Sequence, residues 1–271
     1  MIKTSVIIWT VISTIICFGI PIGGFLLIQS RKQMVTRPFL AGALTFFLSQ
    51  VVVRIPIFTL ILPYMMWYNQ LSLNPWLYGL FLGFTAGLFE EAARLFFLKV
   101  LCRKNRRYID GIAFGLGHGG IEAILLVGIN AITMLIYFFA INNGTFDSLT
   151  AGLDPSYASA IYQQYTGITA LQAALMGVER IIAIIAHIGF SMIILTGIRK
   201  KRSFKYLVIA ILGHTLLDAP IIILPQVFGV GEIGLEIYLA LCAAVLMFYT
   251  IKVKEKYIDH DQGTIPADSI K

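Results

Sequence analysis

Charged side chains are scarce in this chain. Asp, Glu, Lys and Arg make up 13% of its 271 residues, against roughly 25% in an average soluble domain. Hydrophobic residues make up 58%, and the mean hydropathy is +0.83. Apolar runs of about 20 residues, the length that a membrane-spanning helix needs, recur along the sequence. This composition excludes a soluble globular fold and predicts an all-α, polytopic bundle of membrane helices.

Cysteine is rare, and several catalytic motifs are absent. Cys17, Cys102 and Cys242 are odd in number and lie within or at the ends of apolar runs, so no disulfide framework is expected. The sequence contains no Walker, GxSxG or HExxH motif, each of which marks a known type of catalytic site. The first apolar run continues for more than 20 residues without an obvious cleavage site. We therefore interpret it as a spanning helix and not as a signal peptide.

Hydropathy predicts about seven transmembrane helices. They cover residues 5–28, 39–66, 77–101, 109–141, 169–198, 206–227 and 234–251. The fourth is long enough to require tilt, a kink or an interfacial end. We expect one transmembrane domain, 1–256, with a catalytic-type core at about 77–227, and a disordered cytoplasmic tail, 257–271.

The loops between these spans differ in charge. Those at 68–75, 142–167 and 228–233 contain no lysine or arginine, whereas basic residues follow the first, third, fifth and seventh spans. By the positive-inside rule the N-terminus lies outside and the C-terminus lies in the cytoplasm. The net charge of +7 is therefore a topology signal, and no nucleic acid partner is expected. We predict a multi-pass protein of a bacterial cytoplasmic membrane, in contact with lipid.

Ionisable residues nevertheless occur inside the predicted spans. Glu90, Glu91 and Arg94 interrupt the third span, and His118, His187 and His214 each lie within a later one. Such residues are expensive in a bilayer and usually face a bundle interior or a water pocket, where they mark function.

Helical spacing pairs these residues on shared faces. His118 and Glu122 are four residues apart, as are His214 and Asp218, and that spacing stacks side chains on one helix face. Arg180 and His187 are seven apart, or about two turns. Two other interpretations stay open: the glycines around His118 could form a packing seam, and Glu179 and Arg180 could pair with each other or with Arg54.

Depth provides a separate criterion for a common site. At about 1.5 Å of rise per residue, Glu91, the three histidines and Asp218 lie about 12–18 Å from the cytoplasmic ends of their helices. They therefore share one layer, which we assign to the cytoplasmic half of the bilayer.

Carboxylates and imidazoles in such a layer suit water activation. Two adjacent carboxylates disfavour double ionisation, and imidazoles can move protons or stabilise an oxyanion. Because Glu90 and Glu91 point about 100° apart, only one is expected to face the water. No cofactor is required on this interpretation. Zinc is the alternative, and its candidate ligands would be His118, His187, His214, Asp218 and Glu91.

Four motifs together resemble those of a known superfamily. They are Glu90-Glu91-x2-Arg94, Phe114-x3-His118-x3-Glu122, Arg180-x6-His187-x3-Ser191 and His214-x3-Asp218. They are similar to motifs of the CAAX-processing and bacteriocin-processing proteases, the PrsW-like proteases and the gamma-secretase scaffold subunit. The glycine-flanked His118 followed by Glu122 most resembles the bacterial YhfC family.

The resemblance implies a glutamate-dependent intramembrane protease. Its catalytic residues would be Glu90, Glu91, His118, His214 and Asp218, supported by Arg94, Glu122, His187 and Arg180. A Glu90 or Glu91 carboxylate with His118 would activate water, while His214 and Asp218 would bind the scissile carbonyl or oxyanion. The substrate would be a membrane protein or peptide.

Two departures and two alternatives qualify this expectation. CAAX-type enzymes have three residues before the arginine, where this chain has two, and many have asparagine where Asp218 stands. The likeness therefore shifts toward PrsW and YhfC, and no CAAX substrate is inferred.

Buried Glu, His and Asp also build proton relays, so a proton-coupled transporter is one alternative. A non-catalytic scaffold or immunity protein is the other.

Overall fold

The computed structural model describes residues 1–31 and 33–263, and the described part of the chain contains helices but no strands. We number the helical segments in chain order: α1 Thr4–Ser30, α2 Thr36–Tyr64, α3 Met66–Ser72, α4 Pro75–Val100, α5 Tyr108–Asn143, α6 Phe146–Leu149, α7 Pro155–Thr166, α8 Ala170–Arg199, α9 Ser203–Phe228 and α10 Glu232–Gly263. The predicted all-α membrane bundle is confirmed.

Six of these helices are long and apolar enough to cross a membrane: α1, α2, α5, α8, α9 and α10. The one remaining predicted span, the third at residues 77–101, corresponds to α4, which is about 39 Å long at 1.5 Å per residue. Glu90, Glu91 and Arg94 lower its mean hydropathy, but all three are buried. The protein therefore shields the charges of α4 from lipid, and about seven spans remains the appropriate count.

Two of the long helices are not regular throughout. In α2, π-helical turns occupy Phe47–Arg54 and Ile57–Ile61, and in α5 one occupies Ala123–Gly128. Such turns insert a residue into the helical ladder and often lie at functional sites. Here the turn at Phe47–Arg54 packs against α4, the helix that carries Glu90, Glu91 and Arg94.

Glycines let α5 approach two neighbours closely. A Cβ atom at Gly117 would lie 2.0 Å from the carbonyl oxygen of Phe39 in α2, and one at Gly115 would lie 2.4 Å from the Cα of Ile188 in α8. Neither position has room for a side chain. The glycines around His118 therefore do form packing contacts, and these contacts bring α2 and α8 to the face that carries the histidine.

An apolar core fills the end of the bundle where α4 and α8 finish. Leu98, Phe114, Phe190, Ile194 and Leu195 are at most 1% exposed and belong to one cluster. The charged residues of α4 lie directly beside this core.

The last helix continues beyond the predicted domain boundary. Residues 257–263 of the predicted tail are helical because α10 runs to Gly263. Residues 264–271 lie outside the described part of the chain.

Candidate active site

The two adjacent carboxylates of α4 bind different partners. Glu90 Oε2 lies 3.0 Å from His118 Nε2 in α5, and Glu91 Oε1 lies 3.0 Å from His214 Nδ1 in α9. The Glu90 side chain is 7% exposed and that of Glu91 is fully buried. Glu90 is thus the carboxylate that faces His118, while Glu91 contacts Nδ1 of His214.

Three imidazoles from three helices converge on one oxygen atom. Glu90 Oε2 lies 3.0 Å from His118 Nε2, 3.8 Å from His187 Nδ1 and 3.9 Å from His214 Nε2. The ring centroids of His118 and His187 are 4.6 Å apart, and those of His187 and His214 are 5.8 Å apart. The layer of histidines expected from helix depth is therefore a compact cluster around Glu90.

Arg94 joins this cluster from the next turn of α4. Its Nε lies 3.1 Å from Glu91 Oε2 and its Nη2 lies 3.9 Å from Glu90 Oε2. Nη1 donates to the His187 carbonyl oxygen at 2.8 Å and to Ser191 Oγ at 2.6 Å. One fully buried guanidinium thus links both carboxylates of α4 to α8.

The contacts of Arg94 also fix the proton positions on His187. Arginine has only donors, so Nδ1 of His187, 3.1 Å from Arg94 Nη2, must accept. The ring proton is then on Nε2, which lies 2.6 Å from Glu122 Oε2. Nε2 of His187 therefore contacts the Glu122 carboxylate, while Nδ1 accepts from Arg94 and lies 3.8 Å from Glu90 Oε2.

Glu122 is held in turn by Arg180. Arg180 Nη1 donates to Glu122 Oε1 at 2.8 Å, and Nη2 contacts Glu179. The structure therefore shows the predicted alternative in which Glu179 and Arg180 pair with each other, and it adds Glu122 as a partner that the sequence did not suggest. Arg54 is not part of this contact: its Nη2 donates to the Leu82 carbonyl oxygen and to Thr85 Oγ1, at 2.9 and 3.2 Å.

Asp218 lies at the edge of the cluster. Its Oδ2 is 3.4 Å from His214 Nε2, and its side chain is 28% exposed. His214 thus has a carboxylate near each ring nitrogen, with Glu91 on the buried side and Asp218 on the open side.

Sequence reasoning missed one member of the site, Gln50. Its Nε2 donates to Glu90 Oε1 at 2.8 Å, and its Oε1 accepts from Arg54 Nη1 at 3.3 Å. The residue is 4% exposed and lies in a π-helical turn of α2. A glutamine four residues before an arginine in an apolar helix was the available signal, because that spacing places both side chains on one face.

The cluster includes a plausible set of metal ligands. Glu90, His118 and His187 each offer one ligand atom, and these atoms lie within 4.8 Å of one another. Oxygen and nitrogen ligands at about 2.0–2.1 Å in a tetrahedral site would be about 3.3 Å apart, and the distances from Glu90 Oε2 to the imidazole nitrogens bracket that value. A metal-bound histidine usually has a carboxylate beside its other ring nitrogen, and Glu122 Oε2 lies 2.6 Å from His187 Nε2. The distances between these ligand atoms therefore suit a zinc-type ion, with Glu90 in the place where the sequence suggested Glu91.

A cavity of about 280 Å³ opens beside the cluster. Glu90, His187 and His214 form its base, and its other polar lining residues are Arg54, Glu122, Glu179, Arg180 and Asp218. At about 30 Å³ per molecule in the liquid, this volume admits several waters. The catalytic and supporting roles assigned to these residues stay predictions, but the structure brings all of them to one hydrated pocket or its buried wall.

Comparisons with known proteins give a consistent picture. The model of the YhfC intramembrane metalloprotease family matches residues 16–243. An uncharacterized membrane protein, YhfC, of Bacillus subtilis (strain 168) is 30% identical over 258 residues, which cover 95% of this chain and 100% of that protein. No solved structure matches the chain significantly.

Proposed function

Because the chain belongs to the YhfC intramembrane metalloprotease family, we propose that it is an intramembrane endopeptidase. Its substrate is a membrane protein or membrane-associated peptide, and the reaction is hydrolysis of a peptide bond. One observation carries the proposal: three imidazole nitrogens surround a single carboxylate oxygen, Glu90 Oε2, at 3.0–3.9 Å. The cavity next to this oxygen gives water and a peptide a place to react.

Glu90 and His118 activate the attacking water. Glu90 Oε1 is fixed by the amide of Gln50, so Oε2 is the oxygen left to take a proton. His118 Nε2, 3.0 Å from Oε2, holds that oxygen in place and can share the proton. General acid–base catalysis of this kind contributes roughly 10²–10⁴-fold to the rate.

His214 binds the carbonyl oxygen of the scissile peptide bond. Glu91 Oε1 accepts from Nδ1 of the ring, and Arg94 holds the other oxygen of Glu91. This arrangement orients Nε2 toward Glu90 and Asp218 on the cavity side. When the ring carries a proton on both nitrogens, Nε2 can donate to the oxyanion that develops when the amide is attacked, and stabilising that oxyanion accelerates acyl transfer strongly.

A metal ion would be held by Glu90, His118 and His187. When bound, zinc makes water acidic enough to attack near neutral pH and polarises the carbonyl. Glu122 and Arg180 would then keep the His187 ring in its ligating orientation. With an ion bound, Glu90 and His118 would be ligands, so the proton-accepting role of Glu90 Oε2 described above belongs to the metal-free site.

One contact favours metal-independent glutamate catalysis instead. Arg94 Nη2 lies 3.1 Å from His187 Nδ1 and uses the lone pair that a metal would need. A guanidinium in this position also repels a divalent cation. Metal analysis of the purified protein separates the two mechanisms.

Substrate trapping tests the proposed activity. Membrane proteomes are compared between cells that carry the wild-type protein and cells that carry Glu90→Gln, with Glu255→Gln as the control because Glu255 is exposed near the end of α10. We expect at least one full-length membrane protein to accumulate with Glu90→Gln alone, and its shorter product to disappear. Identical proteomes, with all three proteins folded and equally abundant, would contradict the proposal.

A further inference from the structure

The cavity extends from the cluster in one direction only. In α4 its lining residues are Leu82, Ala86 and Glu90; in α8 they run from Glu179 to His187, and in α9 from His214 to Ile222. Helices α4 and α8 run one way through the bundle and α9 runs the other way. In all three helices, the lining residues therefore lie between the cluster and the same end of the bundle.

The opposite side of the cluster is closed. One turn beyond Glu90 in α4 lie Arg94 and then Leu98, both 0% exposed. Beyond His187 in α8 lie Phe190 and Ile194, 1% and 0% exposed. No residue described from these two turns lines the cavity, so the apolar core seals the site from this side.

The exposure of the acidic side chains increases in the direction of the cavity. Glu91 is 0% exposed, Glu90 7% and Glu122 13%. Asp218 and Glu179 are 28% and 31% exposed. Charged groups in a membrane-spanning helix need water or partners. Acidic side chains that become more exposed toward one end of the bundle therefore indicate a water-filled entrance at that end.

The open end is the one with no basic residues in its loops. It is formed by the start of α4 and α8 and the end of α9, and the loops that join these ends contain no lysine or arginine. The positive-inside rule places such loops outside the cell. The sealed end carries the basic clusters that follow α4 and α8.

We propose that water and substrate reach the site from the extracytoplasmic side of the membrane. The substrate part rests on the proposed peptidase function. The substrate class is then a membrane-protein or peptide segment that enters the bilayer from its outer face, and not a segment presented from the cytoplasm.

Arg54 places a positive charge on the wall of this entrance. It lines the cavity, and its Nε is buried with no hydrogen-bond partner. Its other nitrogens are fixed on Gln50, Leu82 and Thr85. The positive charge of its guanidinium group can attract a backbone carbonyl of an extended peptide on its way to Glu90.

Thiol labelling from each side of the membrane tests the direction of access. Single cysteines are placed in the full-length protein after Cys17, Cys102 and Cys242 are changed to serine. Ala183→Cys lines the cavity, and Phe84→Cys is a control on the lipid-facing surface of α4, where Phe84 is 46% exposed. Gly152→Cys and Lys104→Cys report on the loops at the two ends. The probe is a small cationic methanethiosulfonate that does not cross membranes.

In right-side-out vesicles we expect loss of the free thiol in Ala183→Cys and Gly152→Cys but not in Phe84→Cys or Lys104→Cys. In inside-out vesicles only Lys104→Cys should lose its thiol. Reaction of Ala183→Cys from the inside alone, or from neither side while both loop controls react, would overturn the proposal. So would exchange of the sides on which the two loop cysteines react.

The labelling does not depend on peptide hydrolysis, so its failure leaves the proposed activity untouched, and an inactive protein can still show outward access. The substrate route has its own readout. Once Ala183→Cys is fully modified from outside, cleavage of the trapped substrate should be lost. Undiminished cleavage by the modified protein would show that the substrate takes another route.

Discussion

The two halves of α8 have different surroundings. From Ser191 to Gly197 every residue is buried, and the helix packs into the apolar core. From Ala170 to Ala186 most residues are partly or fully exposed, including Leu171 at 44% and Val178 at 42%. His187 lies at the boundary between the halves.

The two halves therefore have different roles. The inner half positions the residues of the site, and the outer half lines the cavity through which ligands reach it. The inner half of α8 fixes Arg94 through Ser191 and the His187 carbonyl, in surroundings where a displaced side chain has no free space. The outer half carries Glu179 and Arg180 along the cavity. We therefore expect inner substitutions to affect the geometry of the cluster or stability, and outer substitutions to affect ligand binding.

The largest effect is expected at Glu90, which faces His187 at this boundary from α4. Glu90→Gln removes the proton acceptor at the centre of the three imidazoles and should lower the cleavage rate by about 10²–10⁴-fold. Glu91→Gln should lower it less, because Glu91 acts by orienting His214. Single-turnover cleavage in liposomes measures both, and equal losses would contradict the different roles assigned to the two carboxylates.

A smaller effect is expected at Glu122. Glu122→Gln weakens the acceptor for His187 Nε2 and should reduce zinc affinity about 10–100-fold, as loss of a carboxylate behind a metal-bound histidine does. Glu179→Gln is the matched control, since Glu179 contacts Arg180 but not the histidine. Zinc titration of both variants gives the result. Unchanged affinity in Glu122→Gln, or no zinc in the wild-type protein, would favour the metal-independent mechanism.

The packing of α8 can be tested with a pair of substitutions in the same helix. Ile194→Ala leaves a cavity in the inner half and should reduce the free energy of unfolding by about 2 kcal/mol or more. Val178→Ala, in the exposed outer half, should change it by less than about 0.5 kcal/mol. Unfolding in mixed detergent micelles measures both. Similar values for the two variants would remove the distinction between the halves.

The smallest effect is expected at the cavity entrance. Arg54→Lys keeps the positive charge but cannot reproduce the guanidinium's contacts with Gln50, Leu82 and Thr85, so the charge is placed less well and we expect KM to rise a few-fold. The value of kcat should change little, because Arg54 does not contact the reacting oxygen of Glu90. Steady-state cleavage in liposomes separates the two constants, and a fall in kcat alone would place Arg54 in the chemical step.

Much of the site could be predicted because buried charge in an apolar sequence is conspicuous. His118, His187 and His214 could be assigned to one layer from helical rise alone, and the structure brings them around one oxygen. The choice between Glu90 and Glu91 could not be made from sequence, because it depends on how α4 is rotated against α5 and α9. The Glu122 to Arg180 contact joins residues 58 positions apart and depends on the close packing of α5 on α8.

Gln50 was missed for a physical reason as well. An uncharged amide in an apolar helix gives little signal, and the π-helical turns of α2 shift the faces that a regular 3.6-residue period predicts. The direction in which the cavity opens likewise required the packing of several helices, although the loop charges that define its outer end are plain in the sequence.

The most direct test of the central claim is cleavage of the trapped substrate by the purified protein in liposomes. We predict that the wild-type protein cuts it within or beside the membrane and that Glu90→Gln, equally folded, does not. A wild-type cleavage rate in the Glu90→Gln protein would contradict the account of Glu90 as the centre of the active site.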